Sequence, residues 1–407
     1  MHAVIAGAGM GGLATALALH ELGWRVTVCD SVRALKPLGA GINILPHGVE
    51  ILESLGLLDA VLDSGVATRA VEYRSRFGHL LSSDPRGVEA GFSHPQVSIH
   101  RGSFQKLMHD ALIDRAGADA VHMGHRLVSA TQDQTQVTAV FATADGPVPI
   151  SGDILIGADG FHSALRRCLH PTEGPAQAEG VTMYRGVHRQ APFGDGRTMI
   201  IAGNHDRKFV CYPVTDTAPD TGTCLLNWVA EVRGSDPRPA SEADWNREAD
   251  REFIAQFQDF ALDGLDIPAL LSATQSITTY PMIDRDPLDT WGTGRMTLLG
   301  DAAHPMYPIG ANGTSQALMD VDALRRALLA HADPATALRT YETERLPATA
   351  EVVRANRRSG PEKVLDIADA RLKGADDRVE DLINPTESAE VAAQYRKVAG
   401  FQKVKDR

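Results

Sequence analysis

The stretch Val4-Ile5-Ala6-Gly7-Ala8-Gly9-Met10-Gly11-Gly12 limits the possible folds more than any other part of this chain. It carries G-x-G-x-x-G at Gly7, Gly9 and Gly12, after a short apolar run and ahead of an Ala/Leu-rich helical segment, 10–23. A second apolar run, Arg25–Asp30, completes a βαβ unit of about 30 residues, the context in which the pattern has physical meaning. The first glycine permits a tight turn, the second lets a pyrophosphate approach the backbone, and the third lets helix and strand pack closely. The helix N-terminus then offers unpaired N–H groups and a positive dipole end to phosphates. Met10 and Gly11 fill the intervening positions. Asp30 ends the second strand 18 residues after Gly12, and Ser31 follows it. A carboxylate there accepts hydrogen bonds from ribose hydroxyls and repels a 2′-phosphate, which disfavours NADP and leaves FAD and NAD open. All these residues are candidate nucleotide contacts.

The 407 residues suffice for two domains at roughly 100–200 residues each. With 43% hydrophobic and 23% charged residues, the composition is that of a folded soluble protein. A net charge of −12 argues against nucleic acid or an anionic membrane as partner. Cys29, Cys168, Cys211 and Cys224 show no CxxC spacing, so reduced thiols in a cytoplasmic protein are expected. No apolar run is long enough for a transmembrane helix. The apolar N-terminus lacks a basic leader region, and its glycines are the turn itself. The histidines form no H-x-x-x-H cluster, and no metal is expected.

Further along, 46–64 has helical apolar spacing, 66–99 reads as strands between Gly/Pro turns, 101–116 as a helix and 125–155 as strands. Period-two segments then follow closely: Thr182–His188, Thr198–Ala202, Phe209–Val214, Cys224–Val232 and Ile277–Ile283. They predict a largely antiparallel sheet, interrupted by a polar helical stretch near 241–258. Met296–Leu299 is an apolar strand leading into a long helical region, and the last 55 or so residues are charged and expected to form a solvated helix or subunit contact. The expected fold is α/β, with a discontinuous dinucleotide-binding domain (1–70, 100–178 and 284–355), an antiparallel substrate domain (71–99 and 179–283) and a C-terminal helical segment (356–407).

Two more motifs carry a resemblance. Asp159-Gly160-Phe161-His162-Ser163-Ala164-Leu165-Arg166 resembles the DG motif of the single-component FAD-dependent aromatic hydroxylases. Gly300-Asp301-Ala302-Ala303-His304-Pro305 with Pro308-Ile309-Gly310-Ala311-Asn312-Gly313 resembles their GD motif. The likeness covers nearly the whole chain, in the family's order. Pro85–Gly91, Ser98–Gly102, Thr182–Val187 and Tyr280–Leu288 are similar to the phenazine-hydroxylating branch of that family.

The resemblance implies a Rossmann-like FAD-binding domain, NADH or NADPH as transient reductant, and O2 delivered to a small aromatic substrate through a C4a-hydroperoxyflavin. The substrate is phenazine-like or carboxylated, with decarboxylation an option, and the protein is a monomer or homodimer. The implied FAD contacts include Arg101, Asp159, Asp301, Pro308, Gly310, Ala311, Asn312, Gly313 and Thr314. Asp159 and Arg166 could instead form a local ion pair. Tyr212 occupies a pocket-lining strand position and the Pro308 carbonyl faces the oxygen-bearing flavin atom. Lys208 stands where hydroxybenzoate-type members often carry a histidine base, which disfavours a His-mediated phenol deprotonation; His205 and His188 are nearby substitutes. A halogenase, reductase or Baeyer–Villiger-type oxygenase on the same fold is the alternative. Trp24, Trp228, Trp245 and Trp291 do not form the WxWxIP element of halogenases.

Overall fold

The computed structural model describes residues 1–35, 39–234, 246–358 and 360–398. Its centre is a five-stranded parallel sheet in the spatial order Met296–Leu298, Ile154–Gly157, His2–Ala6, Arg25–Asp30, Val121–Met123. Runs such as Ala3-Val4-Ile5 and Ile154-Leu155-Ile156 are fully buried, as strands covered on both faces must be. Parallel neighbours need a crossover, and helix Met10–Glu21 supplies the first. That helix is buried from Gly12 to Leu19 because it lies between helices Arg101–Ala116 and Gly313–Ala330. Such a location demands apolar residues all round, which Leu13, Ala14, Ala16, Leu17 and Ala18 provide. A three-stranded antiparallel meander, Arg126–Gln132, Val137–Thr143 and Gly146–Gly152, flanks this unit.

The larger, eight-stranded sheet runs Arg247–Glu248, Thr278–Asp284, Gln177–Gln190, Cys224–Arg233, Arg207–Pro213, Thr198–Gly203, Ala70–Arg74, Leu80–Pro85. It is antiparallel except between Thr198–Gly203 and Ala70–Arg74. Alternation gives it two distinct faces. Phe209, Cys211, Leu226, Trp228 and Ala230 pack beneath Phe253, Phe257, Leu270 and Leu271. Lys208, Val210, Tyr212, Asn227 and Val229 take the opposite face, where Val210 and Tyr212 meet Val364 and Leu365 of the C-terminal segment. A small sheet of Gly41–Ile44, Gln96–His100 and Gly65–Thr68 joins this face to the parallel unit.

Two expectations are corrected. Residues 241–245, with Trp245, lie outside the described residues; the rest of the expected polar helix is strand Arg247–Glu248 and a 3₁₀ helix, Arg251–Phe257. Phe253, Ile254 and Phe257 are buried there, their apolar stripe masked in sequence by Arg251 and Glu252. The C-terminal segment is likewise not merely solvated. Val364, Leu365, Ala368, Leu382 and Ile383 pack against Val71, Tyr73 and Met199 of the large sheet, and 399–407 lie outside the described residues. Among the described residues, no helix is long and apolar enough to cross a membrane.

Candidate functional site: a dinucleotide crevice facing a sheet

Four parallel strands end at one edge, delivering Gly7, Asp30, Ala158 and Gly300 to a common crevice, as open α/β sheets do. Gly7 has φ +106°, and a Cβ there would overlap the Ala158 carbonyl oxygen. A Cβ at Gly12 would overlap the Gly7 carbonyl oxygen, and one at Gly11 would press on Leu299. Gly9 is different: the nearest protein atom to an added Cβ is 4.0 Å away, so packing does not require glycine there. Helix Met10–Glu21 has no side-chain cap and no acid in its first turn, which leaves its N–H groups and dipole available to an anion. The Asp30 carboxylate accepts hydrogen bonds from the Ala8 amide (2.7 Å) and the Val32 amide (2.9 Å), with Ser31 exposed beside it. Gln105 donates to the Ala8 carbonyl at 2.7 Å and ties helix Arg101–Ala116 to the turn.

The second turn faces the first. Gly300 adopts φ +61° and donates its N–H to Asp320 at 3.0 Å. Asp320 is fully buried; His304 Nε2 lies 2.6 Å from its Oδ2, and Arg345 Nε donates to its Oδ1 at 2.8 Å. Burial alone would raise the Asp320 pKa, but His304 and Arg345 hold it below the usual carboxylate range. Asp301 opens onto the crevice, where crowding by protein raises its pKa against the pull of His304 and Arg101. Pro308 is exposed, and its carbonyl accepts from the Ala311 amide at 3.3 Å. Gly310 (φ +71°) and Ala311 (φ +53°) are both left-handed; a non-glycine residue held there is strained, a feature that clusters at ligand clamps. Asn312 is buried with Nδ2 unpartnered, and helix Gly313–Ala330, entered through Gly313 and the half-buried Thr314, has no side-chain cap and no acid in its first turn. Arg101 is exposed at the crevice, near Asp301 and 3.7 Å from where a Gly39 Cβ would stand.

Asp159 and Arg166 do not pair with each other. The half-buried Asp159 accepts from Ser163 Oγ at 2.5 Å and from the Ala164 amide at 2.6 Å, opening helix Ala164–Leu169. Desolvation raises its pKa against those bonds. Arg166, 2% exposed, binds Glu173 through two nitrogens and donates to the Ala302 and Ala303 carbonyls at 2.9 and 2.8 Å. The DG motif thus clamps the GD motif.

Strand Gly41–Ile44 brings the large sheet to the crevice. A Cβ at Gly41 would stand 2.8 Å from Asn227 and 2.9 Å from Tyr212, and the Gly41 amide donates to Asn227 Oδ1 at 2.5 Å. The strand also lies beside the Ile309–Ala311 turn, and the Leu45 amide donates to Ser315 Oγ at 2.9 Å. Tyr212 is 4% exposed, and burial pushes its phenol pKa up, so it stays a neutral hydroxyl. Lys208 lies on the same face but is enclosed: it pairs with Glu231 at 2.8 Å and with Glu362. Burial opposes its charge, yet the two carboxylates outweigh burial and raise its pKa. His205 is exposed and, with Lys208, lines a separate cavity of about 40 Å³ between Tyr307, Asn356 and Glu362. His188 is half-buried on strand Gln177–Gln190. His47 had no sequence signal: its ring nitrogens are shielded, and burial, then Arg345, push its pKa down to about 3. Gly39 and Gly41 were also missed, although a G-x-G ahead of a short strand is a detectable sign of close backbone approach.

An unclashed Gly9, two uncapped helix N-termini, the orphaned Asn312 Nδ2 and the carboxylates Asp30 and Asp301 fit FAD, a long dinucleotide with a polar ring edge; together with the likeness to known hydroxylases and monooxygenases they define an FAD-dependent monooxygenase of the aromatic hydroxylase class. The chain belongs to the FAD binding domain family, whose model matches residues 1–356. It is 43% identical over 362 residues to phenazine 1,6-dicarboxylic acid hydroxylase PhzS of Lysobacter antibioticus, covering 87% of this chain and 88% of that protein. It is 31% identical to 6-hydroxynicotinate 3-monooxygenase of Pseudomonas fluorescens, covering 80% and 81%. A salicylate hydroxylase substrate complex shares the fold at 23% identity, with a TM-score of 0.75 over 100% of this chain and 97% of that one. So does Klebsiella pneumoniae HpxO complexed with FAD and uric acid, at 24% identity and a TM-score of 0.72 over 98% and 93%.

Proposed function

We propose that this enzyme uses NADH or NADPH and O2 to hydroxylate a small carboxylated aromatic compound of the phenazine kind. The observation that carries the reading is the crevice where the Gly7–Gly12 turn, the Asp301 and Pro308–Gly313 turn, and the Tyr212 face of the large sheet converge. The likeness to a phenazine 1,6-dicarboxylic acid hydroxylase supports the substrate class. Bound FAD supplies the hydride acceptance and oxygen activation that no side chain can perform.

The chain's residues bind, orient and exclude water. Gly9 and the helix behind it receive the pyrophosphate, Asp30 and Ser31 the adenosine ribose, and Arg101 and Asp301 the chain linking phosphate to ring. The Gly310–Thr314 turn and the dipole of helix Gly313–Ala330 face the polar ring edge, where reduction accumulates negative charge. Asp159 acts indirectly by ordering the strand end above the crevice. Pro308 and Tyr212 flank the substrate, and the Tyr212 hydroxyl donates a hydrogen bond to it. Lys208 and His205 serve the joint with the C-terminal segment; an ammonium held by two carboxylates is no base. In this reading 1–70, 100–178 and 284–355 form the FAD unit, 71–99 and 179–283 the substrate unit, and 356–407 the C-terminal helical segment. The charge of −12 disfavours nucleic acid as a partner, and the enzyme is read as a cytoplasmic monomer or homodimer.

The test is to add FAD to the purified protein and measure NADH oxidation with phenazine carboxylates, hydroxybenzoates and hydroxynicotinates, followed by product mass. Substrate-stimulated oxidation and a product gaining one oxygen are expected, with loss of CO2 marking a decarboxylative route. Absence of bound flavin, or a product gaining only hydrogen or halogen, overturns the reading.

A further inference from the structure

The face of the large sheet turned to the crevice is ordered in rows. Met183, Glu231 and Lys208 form one row; Arg185, Val229 and Val210 the next; Val187, Asn227 and Tyr212 the third. Successive rows are two residues, about 7 Å, apart. The first row meets the second turn, because Met183 packs with Tyr307 and Ile309. The third meets strand Gly41–Ile44 through Tyr212 and Asn227. The middle row therefore lies between those two walls. Val229 is partly exposed there and packs toward Met183, Tyr307 and Ile309, whereas Val210 is covered by the Val364 and Leu365 cluster.

At the end of the middle row stands Arg185, half-buried, with its guanidinium 5.8 Å from the Tyr280 ring centroid. Its Nε is shielded from solvent and makes no hydrogen bond, and among the described residues no carboxylate forms an ion pair with it. Its charge also acts on the Tyr212 phenol. In the adjoining row Asn227 is fully buried, its Oδ1 spent on the Gly41 amide and its Nδ2 unpartnered. Orphaned donors at this depth are rare and mark a missing acceptor. Arg76, Arg86, Arg233 and Arg285 also have a shielded, unbonded Nε, but each pairs with a carboxylate, as Arg166, Arg345 and Arg357 do.

We propose that Arg185, assisted by Asn227 Nδ2, binds the carboxylate of the aromatic substrate and so sets the ring's orientation beside Val229. The proposal rests on the hydroxylase reading and deepens it to an anionic substrate. A planar guanidinium matches a carboxylate with paired charge-assisted hydrogen bonds, which a lysine cannot reproduce. Phenazine 1,6-dicarboxylic acid hydroxylase and 6-hydroxynicotinate 3-monooxygenase, both similar to this chain, are named for substrates that carry the group required.

The experiment uses FAD-loaded enzyme and two probes of one ring system, phenazine-1,6-dicarboxylate and neutral phenazine. Binding is followed by perturbation of the flavin spectrum, turnover by substrate-stimulated NADH oxidation. Wild type is expected to prefer the dicarboxylate by about tenfold or more in Kd. Arg185→Met should bring the preference close to unity through weaker dicarboxylate binding, with flavin content and phenazine affinity unchanged. Arg185→Lys should restore part of it, and Asn227→Leu should show a smaller loss in the same direction. A preference that survives Arg185→Met overturns the proposal. So does a wild type stimulated equally by both probes, a result that leaves the hydroxylase reading intact. If no aromatic compound stimulates NADH oxidation, the hydroxylase reading itself fails, and the carboxylate anchor with it.

Discussion

The two turns that enclose the crevice are built on opposite principles. The Gly7–Gly12 turn is shaped by what its residues lack: side chains at Gly7 and Gly12 would collide with backbone. The Gly300–Gly313 turn is shaped by what distant residues add: Asp320, itself held by Arg345, accepts from its Gly300 amide, and Arg166 donates to its Ala302 and Ala303 carbonyls. A turn defined by steric exclusion tolerates no side chain at the glycines that face backbone, Gly7 and Gly12. A turn defined by buried charge depends on residues tens of positions away and fails when any one of them loses its partner.

The sharpest way to break the first turn is Gly12→Ala, because the added methyl group meets an immovable carbonyl. We expect loss of soluble, FAD-binding protein, or destabilisation beyond about 4 kcal/mol, the range of exceptional single substitutions, in denaturant titration. For the second turn, Asp320→Ala strands Arg345 and His304 and should cost roughly 3–5 kcal/mol, the penalty of an uncompensated buried charge. Thermal unfolding and flavin retention would register it, and a melting temperature unchanged from wild type would remove the network from the account.

A pH series sharpens the contrast further. His47, beside Arg345, has a folded pKa of about 3 against an ordinary value of 6.5. Between those values the unfolded chain binds a proton that the folded chain refuses. Stability is therefore complete above pH 6.5 and declines toward pH 3, by up to about 1.4 kcal/mol per pH unit. His47→Asn should flatten that slope in acid unfolding; an identical slope would clear His47 of responsibility. The smallest effect on stability is expected of Gly9→Ala, within about 1 kcal/mol, because open space surrounds the site. FAD affinity should nevertheless fall about tenfold or more, as a methyl group intrudes on the pyrophosphate. Equal flavin affinity in that variant would mean the dinucleotide passes elsewhere.

How much could be read from sequence follows the same division. Gly7, Gly9, Gly12 and Asp30 announce a nucleotide turn because their spacing falls within a single βαβ unit of about 30 residues. The period-two strands of 180–283 reveal a sheet with two faces, and the GD motif is visible as a motif. Its support is not. Nothing distinguishes Asp320 or Arg345 from other charges on long helices until folding buries them together. Arg166 sits within the recognised DG motif, but its true partners, Glu173 and the Ala302 and Ala303 carbonyls, become evident only when two strand ends are brought side by side. Asn227 and Arg185 carry no local signal either, since an unmet hydrogen-bonding need is a property of the assembled surroundings.

One of the two acids that neutralise Lys208, Glu362, lies outside the span 1–356 matched by the FAD binding domain family. A fragment trimmed to that span would keep every signature glycine yet leave the lysine half-compensated and wet the apolar patch of Val71, Tyr73 and Met199. The smallest piece able to stand unaided is larger than the one its motifs delimit.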